Sequence, residues 1–125
     1  MNSPNAIELL NTARDLLLKQ LLPALPQALH YECRMVASAM AMAGREIERG
    51  ARAGQVEDSA LAEVLGLQGL AGLTAEDARA LLGQFVRQGM FDQPGKGRDA
   101  LLQALAEITR ARLSISNPKV VNDER

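Results

Sequence analysis

The sequence is short of most side chains on which recognisable chemistry is built. It has no tryptophan, and Tyr31, Phe85 and Phe91 are its only aromatic residues. Nucleic-acid binders that stack on bases need aromatics, and most carry a basic stripe. Here 14 basic residues face 15 acidic ones, a net charge of −1, so nucleic acid is excluded as a partner. The single cysteine, Cys33, has no internal disulfide partner. It reads as a reduced, buried thiol behaving as a small hydrophobe. The β-branched residues Val, Ile and Thr are scarce, which argues against strands. No apolar run approaches the ~20 residues that span a bilayer, so a membrane is excluded as a partner. The N-terminus lacks the basic start and apolar run of a signal peptide, and a cytoplasmic location is expected.

What is present is aliphatic. Apolar residues make up 47% of the chain, enough for a core of Leu, Ala, Met, Ile and Val. Leu29, Cys33, Val36, Met40, Ala43 and Ile47 recur at alternating steps of four and three, which places them on one stripe of a helix. Glu32, Arg45, Glu48 and Arg49 fall elsewhere. Pro26 suits the start of this central helix and Gly50 a left-handed cap at its end, so a helix over 26–50 is expected.

Upstream, Ser3 and Pro4 make a helix start, and Ala6, Leu10, Ala13, Leu17 and Leu21 keep helical spacing. Pro23 and Pro26 force a corner, so the first two helices should be antiparallel neighbours. After Gly50, residues 51–58 read as a turn or loop, and Ser59 to Leu65 as a short helix. Gly66 to Gly72 lacks the lysine and hydroxyl of a phosphate-binding loop and reads as a turn with Leu67 and Leu70 tucked inward. Thr74 caps a helix that Gly89 stops, with Met90 and Phe91 folding back on the core. Asp99 opens a last helix ended by Asn117-Pro118. The expectation is an all-α protein: one compact bundle over 1–118, with three long amphipathic helices and two shorter ones. Residues 119–125 are expected to be a flexible tail.

Chemistry is hard to find. One histidine, His30, and one cysteine do not close a metal site, and no nucleophile–base pair or dinucleotide fingerprint occurs. No cofactor, metal or catalytic activity is expected. Two arginines are less bland. Arg112 falls on the apolar stripe of the last helix, and Arg34 sits beside the central stripe with Glu46 three turns further along. An arginine so placed either snorkels to water or meets a partner charge. Met35, Met40 and Met42 could line an acyl-sized slot, with Arg34 or Arg112 meeting a carboxylate or phosphate.

Several segments carry a resemblance. They are the Leu-Pro-Ala-Leu-Pro corner at Leu22 to Pro26, and Tyr31, Arg34, Val36, Ala37, Met40, Arg45, Glu46 and Gly50 along the central helix. Arg87, Gly89 and Asp92 follow, then Leu113, Ile115, Asn117 and Pro118. Together they resemble a family of small bacterial helical domains of unknown function. These are fused behind, or encoded beside, aminoglycoside- and choline-kinase-like phosphotransferases, often next to acyl-CoA dehydrogenases. Ser38 stands where that pattern has asparagine. The resemblance implies a non-catalytic companion of the phosphotransferase and dehydrogenase. The alternative is a bundle that binds an acyl or acyl-CoA type molecule. Arg34, Met40, Arg45, Glu46 and Arg112 are the candidate ligand or partner contacts, and a homodimer is compatible with either reading.

Overall fold

A computed structural model describes residues 5–123, and every regular element in it is helical. The protein is all-α, as expected. It divides between Ala51 and Arg52 into two compact units.

In the first unit, helix α1 spans Ala6–Leu16. The expected start at Ser3-Pro4 lies outside the described residues. Asn5 is the cap: its side-chain oxygen accepts a hydrogen bond from the Glu8 N–H at 2.9 Å. The backbone then widens into a π-helical turn over Leu17–Leu21, where the Leu22 N–H reaches back to the Leu17 carbonyl. A single turn, α2 (Leu22–Ala24), ends at Leu25. That residue is extended (φ −81°, ψ 150°), as the steric demand of Pro26 on its predecessor requires. His30 donates from Nε2 to the Leu25 carbonyl at 2.9 Å, which ties the corner to the helix that follows.

That helix, α3 (His30–Gly66), is the longest element. In its N-terminal half Cys33 and Ala37 are buried, confirming Cys33 as an interior thiol. Arg14 of α1 donates to the Ala37 carbonyl at 3.0 Å, and the Cys33 thiol lies 3.9 Å from the Leu17 carbonyl. These contacts set α1 against α3, as the proline corner implies.

Helix α3 runs past the stop expected at Gly50. Residues 51–58 are not a loop, Gly50 does not end the central helix, and the short helix at Ser59 is the continuation of α3. Glycine inside a helix costs only about 1 kcal/mol, and its neighbours Ala51, Arg52, Ala53 and Gln55 are good helix formers. Downstream, Ala60, Leu61, Val64 and Leu65 are all buried in the core of the second unit, and their burial outweighs the glycine penalty.

In the second unit, α4 (Ala75–Arg87) and α5 (Lys96–Ser116) pack with the end of α3. The core joins Leu61, Val64 and Leu65 to Ala78 and Leu82 of α4 and to Leu101, Ala104 and Ile108 of α5. Phe91 folds back into it as expected, whereas Met90 stays exposed. Likewise Leu70 packs on the core, while Leu67 faces water.

Helices α3 and α4 stop in the same way. Gly69 (φ 79°) and Gly89 (φ 82°) take the left-handed conformation, and the next N–H, of Leu70 or Met90, bonds back five residues to Leu65 or Phe85. Thr74 caps α4 by accepting from the Asp77 N–H at 3.1 Å. Helix α5 begins at Lys96, three residues before Asp99, which sits in its first turn. It ends at Ser116, before Asn117-Pro118. Within the segment expected to be a tail, Pro118–Asp123 forms a further short helix, α6, with proline at its tolerated first position.

Candidate functional site

The most concentrated chemistry lies in the second unit, where three helices meet through charge. Glu57 of α3 accepts two hydrogen bonds from one guanidinium nitrogen of Arg112 on α5, at 2.7 and 2.8 Å. It accepts a third from Nε of Arg79 on α4 at 2.9 Å. Arg79 also approaches Asp58 at 3.6 Å. The Glu57 side chain keeps only 13% of its surface exposed, while Arg79 and Arg112 keep 47% and 65%. The carboxylate is therefore the inner member and the guanidinium groups spread outward. Of the two readings of Arg112, the ion pair is the one observed.

The hydrogen bonds from Arg112, then those from Arg79, hold the Glu57 carboxyl below the usual carboxylate range; burial opposes them only in part. A carboxylate whose folded pKa is depressed stabilises the fold above its unfolded pKa. That contribution is lost as pH falls through the folded value. Glu57→Gln is expected to cost about 1–2 kcal/mol near neutral pH, with the difference from wild type shrinking below pH 4. Arg112→Met, which leaves Glu57 its bonds to Arg79, should cost less than about 1 kcal/mol. Urea unfolding at both pH values checks these figures. A loss above ~3 kcal/mol for Arg112→Met would mean that Glu57 is stranded without it.

Beside this cluster lies a cavity of about 330 Å³ between the end of α3, the 66–73 loop and the start of α4. Leu61, Leu65, Leu70, Leu73 and Ala78 supply its apolar walls, and Asp58 is its one ionisable lining residue. The volume is at the low end for small-molecule pockets. A second, shallower groove of about 380 Å³ runs along the outer side of α5, lined by Leu105, Ala106, Thr109, Arg110 and Leu113. Helix α5 is thus apolar twice over. Leu101, Ala104 and Ile108 face the core; Leu102, 55% exposed, stands on the outer flank, and Leu105, 46% exposed, lies at the margin between the two.

The residues singled out from the sequence are distributed differently. Arg34, Met40, Arg45 and Glu46 belong to the first unit, and Arg112 to the second. Arg34 and Glu46 are exposed, Met40 and Arg45 half-buried. Arg34 and Arg45 lie on the same side of α3 but eleven residues apart, about 16 Å along the axis. Met35 and Met42 are exposed, seven residues apart on one side, with Met40 turned well away from them. Glu57 and Arg79 escaped notice because nothing local marks them: their partners are 55 and 22 residues away in sequence. Among the described residues, no group of three or more His, Cys, Asp or Glu side chains is placed to hold a metal ion. No helix among them is long and apolar enough to cross a membrane.

The fold and these surfaces define a small all-α domain with an ion-tied set of helices beside an apolar cavity. Residues 23–120 match the model of DUF6285, a domain of unknown function, and the chain belongs to that family. The match takes in the ion cluster, the cavity and all of α5; α1 precedes it. No curated protein and no solved structure matches the chain.

Proposed function

We propose that this protein is a non-catalytic accessory module that works by docking on another protein. The observation that carries the reading is the outer face of α5. A helix already buried through one face does not need a second apolar face for its own folding, and exposed apolar groups of this kind mark interaction sites. Arg110 at the groove edge offers a cation to an acidic residue on the rim of a partner. The resemblance read in the sequence implies the partner we propose: a kinase-like phosphotransferase working with an acyl-CoA dehydrogenase, in the cytoplasm. Native mass spectrometry of the protein drawn gently from a lysate of its source tests this. The reading expects a complex whose added mass is that of a phosphotransferase or dehydrogenase.

The cavity beside Asp58 favours a second reading, a module that binds a small molecule of acyl or acyl-CoA type. Its leucine walls suit an aliphatic chain, and Arg79, tied to Asp58, stands near for a headgroup. In the same experiment this reading expects a small adduct on a chain free of other proteins. A melting temperature unmoved by saturating acyl-CoA would count against it.

A further inference from the structure

Helix α1 and the π turn after it are held to the fold by little. Among residues 5–25 no side chain is fully buried. The half-buried Leu10, Ala13, Arg14 and Leu17 recur at helical spacing and mark the side turned to α3. Beneath them lie Cys33 and Ala37, 5% and 2% exposed, both small residues that give α1 little apolar surface to grip. Of the polar contacts between the two helices, the bond from Arg14 to the Ala37 carbonyl is charged. The one from the Cys33 thiol to the Leu17 carbonyl, at 3.9 Å, is long and weak.

We propose that α1 is a detachable strap: it leaves α3 and uncovers Cys33 and Ala37 while α3 and the second unit stay folded. The two helices differ in what keeps them helical. Helix α1 has 11 residues, short of the roughly 12–15 at which an isolated helix becomes even marginal in water, so it melts once it leaves α3. Helix α3 has 37 residues and is anchored at its far end, where Ala60, Leu61, Val64 and Leu65 are buried. Its N-terminal half extends an existing helix and needs no new nucleus. Ala37, Ala39, Met40, Ala41 and Met42 are all strong helix formers, which keeps that half helical without cover.

The joint between the two allows the movement. The widened turn over Leu17–Leu21 and the extended Leu25 before Pro26 interrupt the helical path. Helix α1 therefore separates without unwinding the first turn of α3. Elements that move in gating come from this low-stability end of a fold, with few buried contacts. Access to the Cys33 thiol is then set by the strap and not by the stability of the whole chain.

The strap does not depend on docking through α5, and its test uses the full chain, in which Cys33 is the single thiol. The rate of its reaction with dithiobis-nitrobenzoate is followed under native conditions, alongside hydrogen exchange read by mass spectrometry. Leu65→Ala weakens the core of the second unit and should change the thiol rate less than ~3-fold. If only unfolding of the whole chain exposed Cys33, loss of this buried leucine would raise that rate at least ~100-fold. Arg14→Ala removes the bond to the Ala37 carbonyl and should speed the reaction at least ~3-fold. Amides of residues 10–16 should report the same opening constant as the thiol, and those of residues 36–43 a smaller one. A thiol rate that climbs ~100-fold in Leu65→Ala, or one that Arg14→Ala leaves unchanged, overturns the proposal. So does a thiol that reacts while the amides of α1 stay protected, which would place the opening in the first turn of α3.

Discussion

Gly54→Pro is expected to destabilise the protein by about 3 kcal/mol or more, and Gly54→Ala to stabilise it by up to about 1 kcal/mol. Both follow from α3 running without a break from His30 to Gly66. At position 54 proline removes one backbone hydrogen bond from the helix interior, and its ring meets the carbonyl of Gly50, four residues back. Alanine does the reverse. A Cβ placed on Gly54 has no neighbour within 4 Å, so nothing clashes, and the unfolded chain loses the extra freedom of glycine. If residues 51–58 were a loop, proline would be tolerated and alanine nearly silent. Urea unfolding of the two variants separates these cases, because only an intact helix moves them in opposite directions. Against a typical domain stability of roughly 5–15 kcal/mol, the proline variant should also lower the melting temperature visibly.

Leu65→Ala should cost about 3–4 kcal/mol, near the middle of the range for fully buried leucines. Leu65 is 1% exposed and sits with Val64 at the centre of the second unit's core, where helices α3, α4 and α5 meet Phe91. Truncation removes three carbons from close packing. The surrounding helices are tied to one another through Glu57 and cannot fully collapse into the space. A second consequence tests the same geometry. Leu65 also lines the neighbouring cavity, so the variant should enlarge that space and let the protein take up a small apolar probe such as benzene. Chemical denaturation gives the energy and calorimetry the binding. A loss below about 1 kcal/mol would place Leu65 outside the core.

The parts of this fold that were legible in the sequence are those decided within a few residues. Pro26 sets Leu25, Thr74 caps α4, Gly89 ends it, and Asn117-Pro118 ends α5; in each case the cause and its effect are neighbours. The helical period of α3 was legible for the same reason, but not which part of its apolar stripe is buried: Cys33 is interior and Met40 half-buried, whereas Leu29, Val36, Ala43 and Ile47 are exposed. The helix across Gly50 was not. A glycine after a long amphipathic run carries a real stop signal, and only the burial of residues 60–65 against α4 and α5 overrides it. Arg112 could be marked as misplaced on an apolar stripe, but its partner could not be named, because Glu57 looks like any exposed acid until the helices pack. The cavity was invisible throughout. It is a space left between Leu61, Leu70 and Leu73, and spaces have no sequence signature.

On the function proposed above, α5 presents a docking face to a kinase-like phosphotransferase. Sedimentation velocity of the purified chain mixed with that enzyme, each at tens of micromolar, tests it most directly. A faster-moving complex is expected, weakened at least ~10-fold by the double variant Leu102→Glu and Leu105→Glu and left intact by Val36→Glu. Two boundaries that sediment independently at those concentrations, for wild type and variants alike, would contradict it.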